Sequence, residues 1–380
     1  MASNFLIKVI VFLLPTQLGL HFWPSFSRVA GIKVDYLSPT LYFLDLLLML
    51  LVLLNHKSIV VFIKKNLFSS SIITVFIIFN ILFAVSPPNT FFWWLRTLLY
   101  LLVFLVFRLR RVSWTQIRTP LLYSTLTVVV IEIIQLFSQS SLGGLFYYLG
   151  ERAFSSSTPG IGRFNLGGLE ILRPVSTFSH ANSLAGYLTV VFYLFSKKSS
   201  KSWHKLIPFI GILLTLSKSA IITLAFIIFN LKPELIILIS ILFTIAQPIF
   251  QNFAFDWQPA SDRFFYLSYL RKIILKNPFI GVGLGGFIPS LGNLLPGSFL
   301  TPSKLQPIHN LSFLAISELG LLGTILAILI VIKQKIHKVL LNPVVLGLFA
   351  IVLFTGAFDH YTWTLPQNKF IFFIALSIML

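Results

Sequence analysis

The sequence predicts an all-α polytopic membrane protein, a bundle of about twelve transmembrane helices with two long exterior loops. Three observations carry that prediction. Hydrophobic residues make up 57% of the 380 and charged residues only 10%, with a mean hydropathy of +0.92. A water-soluble globule cannot be covered with so little polar surface. The apolar residues fall in successive runs divided by polar breaks, which is the pattern of helices; barrel strands alternate every second residue. Finally, Lys and Arg collect in the short connections, where the positive-inside rule reads them as one cytoplasmic face.

Runs approaching the roughly 20 residues that cross a bilayer lie near 5–20, 39–54, 67–84, 90–107, 119–137, 182–195, 206–217, 219–231, 234–250, 310–331, 341–358 and 368–380. The first run lacks a small-residue cleavage site behind it and is read as a retained helix. Basic clusters follow at Lys57, Lys64 and Lys65; at Arg108, Arg110, Arg111 and Arg118; at Lys197, Lys198, Lys201 and Lys205; at Lys232; and at Lys333, Lys335 and Lys338, with Glu234 as the acid among them. All fall on one side if LIPFIGILLTLSKSAIITLAFIIFN is a hairpin of two short helices broken at Ser217, Lys218 and Ser219. A single long helix there would put the last cluster outside, so the hairpin is preferred, with Lys218 at the exterior face and both termini inside.

The residues form one transmembrane domain, 1–380, with no internal repeat. Its exterior segments are short except at about 138–181 and 251–309, and loops of that length in a compact bundle are commonly functional. Within the second, FFYLSYLRKIIL has the apolar period of an amphipathic helix lying on the membrane surface. The net charge of +19 is explained by topology, and nucleic acid is not an expected partner. The absence of Cys excludes disulfides, thiolate metal sites and cysteine nucleophiles.

Paired carboxylates, DxD, HExxH and a Walker loop are all missing, and the exterior acids Asp35, Glu151, Glu170, Asp256, Asp262 and Asp359 are scattered. Neither a metal nor a cofactor is expected, because a hard divalent cation needs clustered oxygen ligands. The glycines of NPFIGVGLGGF do not fit GxGxxG and follow no strand, so they read as a turn packed at the membrane surface.

What the sequence offers is cations, Arg173 in RPVSTFSHANSLAGYL, Arg263 in SDRFFY and Lys218 in the hairpin break. A guanidinium fork matches phosphate oxygens, so several at one surface point to a lipid headgroup or a diphosphate; snorkelling to lipid phosphates explains any one of them equally well. His309 stands at the start of the tenth run, followed by Asn310, and its ordinary pKa suits it to take a proton from a sugar hydroxyl. A plain polar cap is the alternative, and spacing does not separate the two. Glu318 lies inside that span and is expected to face the bundle and find a partner, a structural role. Asp359 and His360 open DHYTWTLPQN, where aromatic anchoring is the expected role.

In this order, RPVSTFSHANSLAGYL, LTLSKSAIITL, SDRFFYLSYLRKIILKNPFIGVGLGGF and HNLSFLAISELGLLG resemble the blocks of the O-antigen ligase family, which also includes O-antigen polymerases and protein O-oligosaccharyltransferases. The resemblance covers about Arg173 to Gly323, with weaker agreement at FDHYTWTLPQ. It implies a GT-C-like fold and a metal-independent, inverting glycosyltransferase of the cytoplasmic (inner) membrane with its active face outward. The implied donor is a glycan on a polyprenyl-diphosphate carrier, the acceptor is a lipid or glycan, and the surroundings are membrane lipids. Carried over by position, Arg173 and Arg263 match the family's essential exterior arginines and His309 its general base, with Lys218, His180, Asn182 and Asn310 as substrate-binding candidates. Lys218 stands where the family usually has Arg, and Ala181 where Pro often precedes the Asn. The blocks are common to ligase, polymerase and protein-glycosylating members, and a transporter of lipid-linked glycans is the reading from another class. Such a transporter would be expected to show inverted repeats and midplane ion sites.

Overall fold

The computed structural model describes residues 2–158, 160–198, 201–250, 258–333 and 342–380, with backbone alone for Leu166, Phe250, 258–263 and 330–333. The chain is mainly helical. The helices are α1 (Ala2–Leu13), α2 (Phe43–Leu54), α3 (His56–Lys65), α4 (Leu67–Leu82), α5 (Pro87–Leu109), α6 (Trp114–Ser138), α7 (Ala181–Lys198), α8 (Trp203–Leu214), α9 (Lys218–Ile228), α10 (Pro233–Phe250), α11 (Gln258–Lys276), α12 (Phe287–Gly292), α13 (Leu311–Lys333), α14 (Pro343–Gly356), α15 (Tyr361–Thr364) and α16 (Pro366–Met379). Three two-stranded antiparallel sheets sit in the connections; the longest pairs Arg163–Leu166 with Leu169–Leu172 in the first long loop.

Each expected apolar run contains a helix, but many of these helices are short. Among the described residues, Pro87–Leu109, Trp114–Ser138 and Leu311–Leu329 are long and apolar enough to cross a membrane, and α2 with α3, bent by 69° at their break, qualifies as a pair. A 12-residue helix such as α1 rises only about 18 Å, well short of a bilayer core of about 30 Å. The surface is apolar to a degree that water does not tolerate: Phe137, Phe229 and Phe68 are 83%, 76% and 72% exposed, amid many exposed Leu and Ile.

At the centre runs α7, buried at every position from Ser183 to Phe195 and packed against α8, α9, α14 and α16. Its first turn carries Asn182, so the most deeply buried helix presents a polar amide at one end. The expected break between the two short helices is present at Thr215–Ser217, where Leu216 takes a positive φ of 51°.

The glycine-rich turn does more than lie at a surface. The φ and ψ of Gly320, 65° and −175°, interrupt α13. Residues 278–283 fill the gap: Leu321 N donates to Pro278 O and Leu322 N to Phe279 O, each at 2.9 Å, while Val282 N donates to Ser317 O at 2.9 Å. A Cβ on Gly320 would collide with Phe279 O and Gly281 N, and one on Gly281 with Glu318 O, so the two segments meet backbone to backbone only because both positions are glycine. Asn80, fully buried, braces the joint by donating to Ile280 O at 2.8 Å and to Glu318 O at 3.0 Å.

The apolar face of α11 is also occupied by protein. Tyr266, Leu267, Leu270 and Ile273 are buried in one cluster with Phe287, Leu291, Ile308 and Leu314, where the sequence pattern led us to expect contact with lipid.

Candidate active site

Three connections converge on Asp359, in the turn between α14 and α15. From the end of the long loop, Arg173 donates through Nε to Thr215 O at 2.8 Å and through Nη2 to Asn182 Oδ1 at 2.8 Å. The first bond fastens Arg173 to the break between α8 and α9, and the second to the first turn of α7. The amide of Asn182 then donates through Nδ2 to Asp359 Oδ2 at 3.0 Å. The other carboxylate oxygen, Oδ1, accepts from the backbone N–H of His360 at 2.8 Å and faces His309 Nδ1 at 3.7 Å. Arg173, Asn182, Asp359 and His309 thus form one chain of polar contacts drawn from residues up to 186 positions apart in a 380-residue sequence.

The loop bearing Arg173 is held from below by Gln135, which is completely buried in α6. Its Oε1 accepts from Val175 N at 3.1 Å and Ser176 N at 2.7 Å, and its Nε2 donates to Ser176 O and to Glu151 Oε1 at 3.0 and 2.8 Å. Every bonding direction of that amide is used, which fixes the loop in register with the bundle.

Aromatic and imidazole rings surround the carboxylate. His309 and His360 lie 5.2 Å apart ring to ring, Tyr266 of α11 is 5.9 Å from His309, and Tyr36 is 5.6 Å edge-on to His360. The Tyr36 hydroxyl stands 3.5 Å from Nε2 of His180, which is exposed. Burial works against ionising Asp359, but the imidazoles of His309 and His360 and the amide of Asn182 outweigh it and hold the carboxyl well below the usual carboxylate range. Burial pushes the His360 imidazole down to about 3, against the pull of Asp359. At ordinary pH the site therefore holds an anionic Asp359 beside a neutral His360.

The predicted residues divide. Arg173, Asn182 and His309 come together, with His180 at the rim. Lys218 opens α9, three residues past the Thr215 carbonyl that receives Arg173, and is exposed. Arg263 lies in α11 where side chains are outside the described residues. Asn310 is occupied as a brace: it is 1% exposed, accepts from Phe313 N at 3.1 Å and donates to Gln247 Oε1 at 3.0 Å. Its amide is engaged with the protein on both its oxygen and its nitrogen. Glu318 has the partner its burial requires, accepting from Trp363 Nε1 at 2.8 Å.

Asp359 and His360, expected to sit in an anchoring belt, are instead at the centre, and His360 is only 3% exposed. The expected scatter of acids overlooked that one carboxylate with two histidines already makes a polar cluster. A neighbouring acid and histidine directly behind an apolar run were the available signal. Two clefts elsewhere, one lined by Asn55, Ser58 and Arg110 and the other by Lys8, Gln116 and Tyr123, contain neither histidine nor carboxylate. The chain matches no protein-family model, no curated protein and no solved structure.

Proposed function

We propose that the protein is a membrane glycosyltransferase of the O-antigen ligase type, with about twelve transmembrane helices and its site at the outer face of the cytoplasmic membrane. The observation that carries this reading is the polar chain from Arg173 through Asn182 and Asp359 to His309. It joins a phosphate-binding type of side chain to a proton-accepting one, in a molecule whose apolar exterior suits lipid.

In the proposed reaction, the acceptor hydroxyl attacks the anomeric carbon of a glycan held on a polyprenyl diphosphate. One C–O bond forms, the bond to the diphosphate oxygen breaks, and its electron pair leaves with the polyprenyl diphosphate, so the anomeric configuration inverts. His309 takes the hydroxyl proton on Nε2. Asp359, facing the other ring nitrogen, orients the imidazole and stabilises its positive charge as the proton arrives. Arg173 offsets the charge growing on the leaving diphosphate, its guanidinium held by Thr215 and Asn182. Arg263 is assigned the same task on the resemblance alone, and no step requires a metal. Reconstituted protein supplied with a polyprenyl-diphosphate glycan and a lipid or glycan acceptor should yield a glycosylated acceptor of inverted configuration. Movement of the intact donor across the bilayer without any new glycosidic bond would replace the enzyme with a transporter.

A further inference from the structure

Three ligand-type atoms face one another at this site. His309 Nδ1 and His360 Nε2 stand 3.7 and 3.9 Å from the same oxygen, Asp359 Oδ1, and all three lie within 4.8 Å of one another. Thr364 Oγ1 stands 2.8 Å from His360 Nδ1 and 3.2 Å from the His360 carbonyl, so it can give its proton to the carbonyl and accept from His360 Nδ1–H. In that tautomer the Nε2 of His360 points a lone pair toward the carboxylate. His309 Nδ1 is buried and has no hydrogen-bond partner. A carboxylate oxygen and two ring nitrogens that face one another at separations too long for hydrogen bonds form a set of ligand atoms open to a cation.

We propose that His309 Nδ1, Asp359 Oδ1 and His360 Nε2 bind one divalent transition-metal ion of the Zn²⁺ kind, with a fourth position left for water. Ligands about 2.0–2.2 Å from a tetrahedral zinc lie about 3.3–3.6 Å from one another, so the 3.7 and 3.9 Å distances to Asp359 close by about 0.1–0.6 Å and the third by about 1.5 Å at most. Two imidazoles and one carboxylate suit a borderline metal; Mg²⁺ and Ca²⁺ require more oxygens than are gathered here. The outer contacts are those a metal site uses, since Thr364 is placed to accept from His360 Nδ1–H and Asn182 holds the second oxygen of Asp359. A metal on His309 Nδ1 leaves the ring proton on Nε2, the atom that accepts the acceptor's proton in the proposed reaction. Occupancy therefore silences transfer, a consequence that rests on that reading, whereas binding itself does not.

The test uses full-length protein in detergent, stripped with a chelator and then dialysed against Zn²⁺ or Co²⁺. Wild type should hold one ion per chain with a Kd at or below about 1 µM, and X-ray absorption of the wild-type complex should show scattering from two imidazoles. His360→Ala and Asp359→Asn should each weaken binding at least about tenfold. No stoichiometric ion, no imidazole scattering, or equal affinity in a His309→Ala, Asp359→Asn, His360→Ala triple variant overturns the site. Glycan transfer should fall at least about tenfold when the ion is bound. Undiminished transfer by the metal-bound protein overturns the silencing. Transfer absent at every metal content refutes the transferase reading and leaves the binding result standing.

Discussion

Replacing Asp359 by Asn keeps the shape of the side chain and removes its charge, so it isolates what the carboxylate does for His309. The two groups are 3.7 Å apart, with 13% and 24% of their side chains exposed. At that separation a unit charge stabilises an imidazolium by about 1 kcal/mol if water screens it fully, and by about 4 kcal/mol at the effective dielectric usual near a protein surface. One decade of rate corresponds to about 1.36 kcal/mol, so kcat should fall between about fivefold and about a thousandfold. The partial burial places the expectation in the upper half of that range. The assay is the initial rate of polyprenyl diphosphate release at saturating donor, with gel filtration and thermal midpoint as controls on folding. A folded Asp359→Asn protein that works within about threefold of wild type, beside an inactive His309→Ala, would remove Asp359 from the mechanism.

Three further outcomes follow from the packing. Gly320→Ala forces a Cβ into the 278–283 segment at φ 65° and ψ −175°; that backbone conformation alone costs a side chain about 1–3 kcal/mol, and the thermal midpoint in detergent should drop clearly, an unchanged midpoint meaning that the interlock is loose. Gln135→Leu strands the N–H groups of Val175 and Ser176 in the core, at about 1–3 kcal/mol apiece; hydrogen exchange across 173–178 should accelerate, and unchanged protection would show that the Arg173 loop is held by something else. The third concerns pH: His360 has its folded pKa lowered to about 3, below its unfolded value of about 6.5, so the unfolded chain binds the extra proton between those limits and stability falls as pH drops through that window. In the presence of chelator, wild type should lose more thermal stability between pH 6.5 and 4.5 than His360→Gln does, equal losses being the contrary result.

The helices were legible because lipid leaves a simple trace: long apolar runs, basic connections, and a break where Ser217 and Lys218 interrupt one. Burial of Glu318 with a partner followed from the same reasoning, since an unpaired carboxylate in such surroundings is expensive. The site was legible only in pieces. Arg173, Asn182 and His309 stood out through their blocks, but Asp359 lies 50 residues from His309 and 177 from Asn182, and only the tertiary fold brings them together. Tyr36 and Gln135 gave no signal at all, because their roles depend on where the loops they contact come to rest. The interlock of Gly281 with Gly320 was half visible: the glycines were conspicuous, while the break they fill is in another helix. Helix length was the least legible feature, since hydropathy reports how apolar a run is and not where its backbone turns.

The most direct measurement is the amount of free polyprenyl diphosphate that purified, reconstituted protein releases from a polyprenyl-diphosphate glycan when acceptor is present, compared between wild type and folded His309→Ala and Arg173→Ala variants. Release by wild type, with both variants reduced at least about a hundredfold, is the predicted result. Equal release by all three proteins, or none by wild type with competent donor and acceptor, contradicts a catalytic centre built on Arg173, Asp359 and His309.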